Sequence, residues 1–140
     1  MKNYRRVARE LALNILYQAD VCRIPLDEAI ATAFESVAAT RASKQYAEVL
    51  VRGTWECRAA SDKVVAAMAP EWPPDRQPSV DRNILRMAMY EIDHVDYVPP
   101  IVSVDEGVEL AKRYSTEDSG KFVNGVLAAY LRSKGTMEVR

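Results

Sequence analysis

At 140 residues the chain is long enough to bury most of the surface its unfolded form exposes, and too short for a comfortable second domain. With 49% hydrophobic and 28% charged residues it is not a disordered protein, and no apolar run approaches the ~20 residues that span a bilayer. The net charge of −1 is unevenly spread: residues 1–9 carry Lys2, Arg5, Arg6 and Arg9 with no acid, so +4 at this end leaves −5 for the rest.

The charged start is not followed by the apolar stretch of a secretory signal, so a cytoplasmic protein away from membranes is expected. Cys22 and Cys57 show no CxxC spacing and have no nearby histidine, which argues against a metal site or a disulfide framework and predicts two buried free thiols.

The first predicted helix runs from Met1 to about Cys22, with Ala8, Leu11, Ala12, Ile15, Leu16 and Ala19 at three- and four-residue steps as its buried face. Arg5, Arg6 and Arg9 are three or four residues apart and therefore neighbours on another face. They are either a solvated, fraying start or an anion-binding surface. Arginine can fork onto phosphate and stack on bases, and Tyr17, two turns beyond Arg9, is either a half-buried core residue or part of the same surface.

Arg23-Ile24-Pro25 breaks the chain before a second helix, in which Leu26, Ala29, Ile30, Ala33, Phe34 and Val37 repeat to about Ala39. Ser43 is the expected N-cap of a long third helix, striped by Tyr46, Leu50, Gly53, Cys57, Ala60, Val64 and Met68. Four prolines between Ala69 and Pro78 forbid a continuous helix there, and Trp72 is expected in the core.

Ser79 is the expected cap of the next helix, with Val80, Ile84, Leu85, Ala88, Met89 and Ile92 buried and Arg82, Asn83, Arg86, Tyr90 and Asp93 on a polar side. Asp81 reads as exposed there, either as part of a partner or RNA surface or as a complement to the helix dipole. After Pro99-Pro100, Ser103-Val104-Asp105-Glu106 has the pattern of a capping box.

The last helix opens in the run Asp118-Ser119-Gly120-Lys121-Phe122-Val123-Asn124-Gly125-Val126-Leu127. Lys112 and Tyr114 end the preceding helix, so basic and aromatic groups meet a helix start, whose free N–H groups favour an anion. Asp118 either caps this helix or accepts from a base edge. Gly125 costs the helix about 1 kcal/mol relative to alanine, and close packing of a neighbouring helix is the expected compensation.

No segment alternates with the period of a strand, so the fold expected is all-α: a compact bundle of six or seven helices forming a single domain over residues 1–140. Catalysis is not expected. His94 is the lone histidine, with no nucleophile placed beside it by a motif, and there is no nucleotide loop or ligand set, so no cofactor or metal is called for.

Lys121-Phe122-Val123-Asn124-Gly125-Val126-Leu127, preceded by Val108-Glu109-Leu110-Ala111-Lys112, resembles the C-terminal half of the NusB family of transcription antitermination factors. Arg5-Arg6-Val7-Ala8-Arg9-Glu10 is similar to the family's arginine-rich opening, and Val80-Asp81-Arg82, Ile84-Leu85-Arg86 and Tyr90-Glu91 to its central helix. Val7, Gln77 and Gly107 depart from the pattern, standing where a further basic residue, a leucine and an alanine are usual.

The resemblance implies two small helical subbundles and a stand-alone factor that binds a boxA-type single-stranded RNA together with NusE, a ribosomal small-subunit protein. It would act on ribosomal RNA operons within the RNA polymerase elongation complex. It carries RNA contact onto Lys2, Arg5, Arg6, Arg9, Tyr17, Lys112, Tyr114, Asp118, Lys121 and Phe122, and partner contact onto Asp81. A helical protein–protein adaptor without RNA specificity is the alternative, and monomer and homodimer stay equally open.

Overall fold

A computed structural model describes residues 3–135; Lys2 lies outside them. The described residues form six α-helices and one short 3-10 turn at Pro74–Arg76, with no strand, so the fold is all-α. They divide into two compact units, Met1–Glu56 and Cys57–Arg140.

The first unit holds α1 (Tyr4–Asp20), α2 (Leu26–Ser36) and the start of α3 (Arg41–Met68). Asn3 starts α1, its Oδ1 accepting from the backbone N–H groups of Arg5 at 3.1 Å and Arg6 at 3.2 Å. Ala8, Leu11, Ala12, Ile15, Leu16 and Ala19 are all buried, as their spacing requires, each leucine or isoleucine contributing roughly 1.5–3 kcal/mol.

Helix α2 packs on α1 and stops earlier than the pattern predicts. The Ser36 hydroxyl donates to the Thr32 carbonyl at 2.7 Å, competing with the backbone ladder, and Val37 is extended and 43% exposed rather than buried. Arg23, in the connection, takes the left-handed conformation at φ 59°.

Ser43 is not the cap of α3. Thr40 fills that role, its Oγ1 accepting from the Ser43 N–H at 3.1 Å, while the buried Ser43 hydroxyl donates to the Tyr4 carbonyl at 3.0 Å. Tyr4 meets Tyr46 edge to face at 6.4 Å. Beyond Thr54 the buried line runs through Ser61 and Val65, one register from the predicted Ala60 and Val64; a serine at a core position hid it. Neither thiol is buried: Cys22 is exposed and Cys57 partly so.

The second unit contains the end of α3 with α4 (Ser79–His94), α5 (Pro100–Tyr114) and α6 (Glu117–Ser133); α5 packs on α4 and α6, and α4 also meets α6. Pro78 and Pro99 hold the N-cap positions in extended backbone, so Ser79 is the first residue of α4 and no capping box forms at Ser103. Proline fixes its own φ and keeps the preceding residue out of the helical region, which outweighs the serine signal.

The predicted polar side of α4 is partly interior. Arg86 forks onto Asp62 at 2.8 and 2.6 Å and donates to Asn83 Oδ1 at 3.2 Å, and Asn83 donates to the Ser79 carbonyl at 2.9 Å. The buried Ser103 hydroxyl donates to buried Glu91 at 2.6 Å. These polar groups are satisfied by one another, and periodicity alone misassigns them to solvent. The same unit sets the start of α6 beside the loop that leads into α4.

Candidate nucleic-acid interface

In the first unit the site residues lie on α1. Arg5 is half-buried, with its guanidinium carbon 5.3 Å from the centre of the Tyr4 ring, and Arg6 is exposed. Arg9, expected beside them on an exposed face, is only 4% exposed, because it follows Ala8 into the buried side of the helix. The cationic surface therefore falls to Arg5 and Arg6. Tyr17 is half-buried.

In the second unit the site is built at the start of α6. Thr116 caps the helix, its Oγ1 accepting from the Ser119 N–H at 2.9 Å, and Asp118 is an exposed first-turn residue rather than the cap. Lys112 and Tyr114 end α5 exposed; Lys112 Nζ is 4.0 Å from Glu117, and the Arg113 guanidinium is 6.0 Å from the Tyr114 ring centre. Lys121 is exposed and Phe122 half-buried.

Two hollows meet at Phe122. One, of about 210 Å³, is lined by Trp72, Gln77, Pro78, Asp81, Asp118 and Phe122 among others. The second, of about 230 Å³, lies along α6 against Trp72, Lys121, Phe122, Gly125 and Ala129. The structure thus brings Asp81, Asp118 and Phe122 to one place, and Lys121 next to it.

Three sequence-based expectations fail here. Trp72 is not in the core; it is 53% exposed and walls both hollows. Asp81 is not exposed; it is 2% exposed, and its Oδ1 is buried without a hydrogen-bond partner. Gly125 is not covered by a neighbouring helix, since a Cβ built there meets nothing within 4 Å.

The position of Trp72 has a local cause. Gln77, where the family pattern expects leucine, is buried, and its Nε2 donates to the Trp72 carbonyl at 2.9 Å. The Trp72 N–H in turn donates to the Ala69 carbonyl at 3.0 Å, so the loop backbone is tied on both sides of the indole. The sequence shows only a glutamine among prolines; that it is buried and holds the loop by a hydrogen bond is visible in the structure alone.

A profile of the NusB family matches residues 6–132. The chain belongs to the NusB family. It is 45% identical to the transcription antitermination protein NusB of Symbiobacterium thermophilum, over 91% of this chain and 89% of that protein. It is 44% identical to that of Pelotomaculum thermopropionicum, over 92% and 90%. Both relatives are transcription antitermination proteins.

Among solved structures, T. maritima NusB superposes with a TM-score of 0.85 at 33% identity, covering 99% of each chain. A crystal structure of the antitermination factors NusB and NusE in complex with dsRNA gives a TM-score of 0.85 at 29% identity, over 95% of this chain and 99% of that one. No helix among the described residues is long and apolar enough to cross a membrane.

Proposed function

We propose that this chain is a transcription antitermination factor that binds a boxA-type single-stranded RNA together with NusE, within the RNA polymerase elongation complex on ribosomal RNA operons. The observation that carries RNA and NusE binding is its likeness, over nearly the whole chain, to a NusB solved with NusE and dsRNA. The mechanism is affinity. Arg5 and Arg6 neutralise phosphates, Phe122 offers its ring to a base, and Lys112, Tyr114 and Lys121 extend the contact. Arg9 and Tyr17 support that surface from beneath, and Asp118 accepts from a base edge.

A single strand is the substrate that suits half-exposed aromatic rings, because bases in a duplex are stacked on each other and offer no free face. Asp81 lines the first hollow with an unmet acceptor, Oδ1, so a partner protein would engage it through a donor group inserted there.

The test is a titration of a fluorescent boxA-like strand, a scrambled strand and a duplex of the same sequence, each with and without NusE. Selective binding of the boxA-like strand, strengthened by NusE, is the expected result. Equal binding of all three RNAs would contradict it, and capture of NusE without RNA selectivity would favour the adaptor reading.

A further inference from the structure

The second hollow on α6 has features the fold does not need. Gly125 weakens the middle of a helix, and no neighbour takes advantage of the missing side chain, so alanine would serve the fold better. Trp72, a large apolar ring, stays 53% exposed although a core was available, and the Gln77 and Ala69 hydrogen bonds fix the backbone that holds it there. The result is a ready-made cleft with an indole and a phenyl ring on its walls, a bare helix backbone as its floor and an exposed Lys121 ammonium at its edge.

We propose that this cleft is a base-binding slot that takes one unpaired nucleobase of the bound RNA, stacked against Trp72 with its phosphate near Lys121. The proposal rests on the RNA-binding reading above and deepens it. At about 230 Å³ the hollow suits a group of one or two rings, and is far smaller than a groove that would seat a partner's helix. Every base has a flat π-face, so such a slot holds the strand without dictating its sequence. Trp72 and Phe122 also line the first hollow, so the slot continues directly from the residue proposed to receive a base there. Because the loop is tied before RNA arrives, little ordering is left to oppose binding.

Gly125→Leu fills the slot from its floor and adds a better helix former, so it can be judged without loss of fold; Trp72→Ala removes the stacking wall and leaves the slot open. Both are titrated with the fluorescent boxA-like strand next to wild type and Phe122→Ala, and their melting temperatures are measured.

The slot predicts that Gly125→Leu and Trp72→Ala each weaken RNA binding about tenfold, as for loss of one stacked base, with the Gly125→Leu melting temperature unchanged or raised. If Phe122→Ala weakens binding and either of the other two binds as wild type, the slot is wrong and the RNA reading stands. If wild type itself does not bind the RNA, both fail. A Gly125→Leu variant that keeps its RNA affinity and loses NusE would make the cleft a protein site and overturn the proposal.

Discussion

The first turns of α1 and α6 are both capped by a neutral side chain, yet they carry opposite charge. Behind Asn3 stand Arg5 and Arg6 with no acid; behind Thr116 stand Glu117 and Asp118. Acids at a helix start are stabilising and cations there are not, by some tenths of a kcal/mol. The α6 start is therefore explained by its own helix, and the α1 start is not. The proposed RNA surface thus joins cationic residues set against their own helix dipole on α1 to shape and aromatic surface on α6.

The largest effect expected concerns the buried polar network that holds α4 in the second unit. Arg86→Met leaves Asp62 facing a largely buried position without its fork, and should destabilise by about 3 kcal/mol in urea unfolding. A loss below 1 kcal/mol would mean that the pair is no more than a surface contact.

Next in size, the Arg5→Ala and Arg6→Ala double variant should bind RNA at least tenfold more weakly, with the slope of log affinity against log salt reduced by ~1.4 and the helix content unchanged. The same slope in variant and wild type would remove the contrast between a charged and an aromatic helix start.

Smaller is Gly107→Ala, which replaces a glycine inside α5 by the better helix former. Its Cβ would sit 3.4 Å from Leu127 and 3.5 Å from Ile84, ordinary contacts, so a gain of about 0.5–1 kcal/mol is expected from thermal unfolding. A loss would show that the α5–α6 packing has no room for a methyl group.

The smallest effect appears only in alkali. Burial, reinforced by the 2.5 Å bond to Asp93, pushes the Tyr130 hydroxyl above the ordinary tyrosine range. Its proton is then held more tightly in the folded chain, so the stability it contributes is complete below about pH 10 and lost as pH rises further. Melting temperature should fall more steeply above pH 10 in wild type than in Tyr130→Phe; parallel curves would assign the alkaline loss to other groups.

The helices were legible because their apolar residues repeat at the helical period, and prolines at 25, 78 and 99 punctuate them. The caps were not, since the serine signals at Ser43, Ser79 and Ser103 compete with Thr40 and with proline one or more residues upstream. The buried polar groups Asp81, Asn83, Arg86 and Glu91 were illegible for a different reason: period alone cannot tell a solvated charge from one partnered by a distant residue such as Asp62. Phe122 and Lys121 stood out in their motif, and both line the second hollow. Trp72 could not be placed from the sequence, because its position depends on a glutamine five residues away.

Cys22 is exposed in the first unit and Trp72 in the second, and the chain has only one further cysteine and one further tryptophan. With Cys57→Ser and Trp55→Phe, a thiol-reactive dye would report on the arginine-bearing unit while indole emission reports on the aromatic one. The order in which an RNA reaches the two could then be timed in a single stopped-flow mixing experiment.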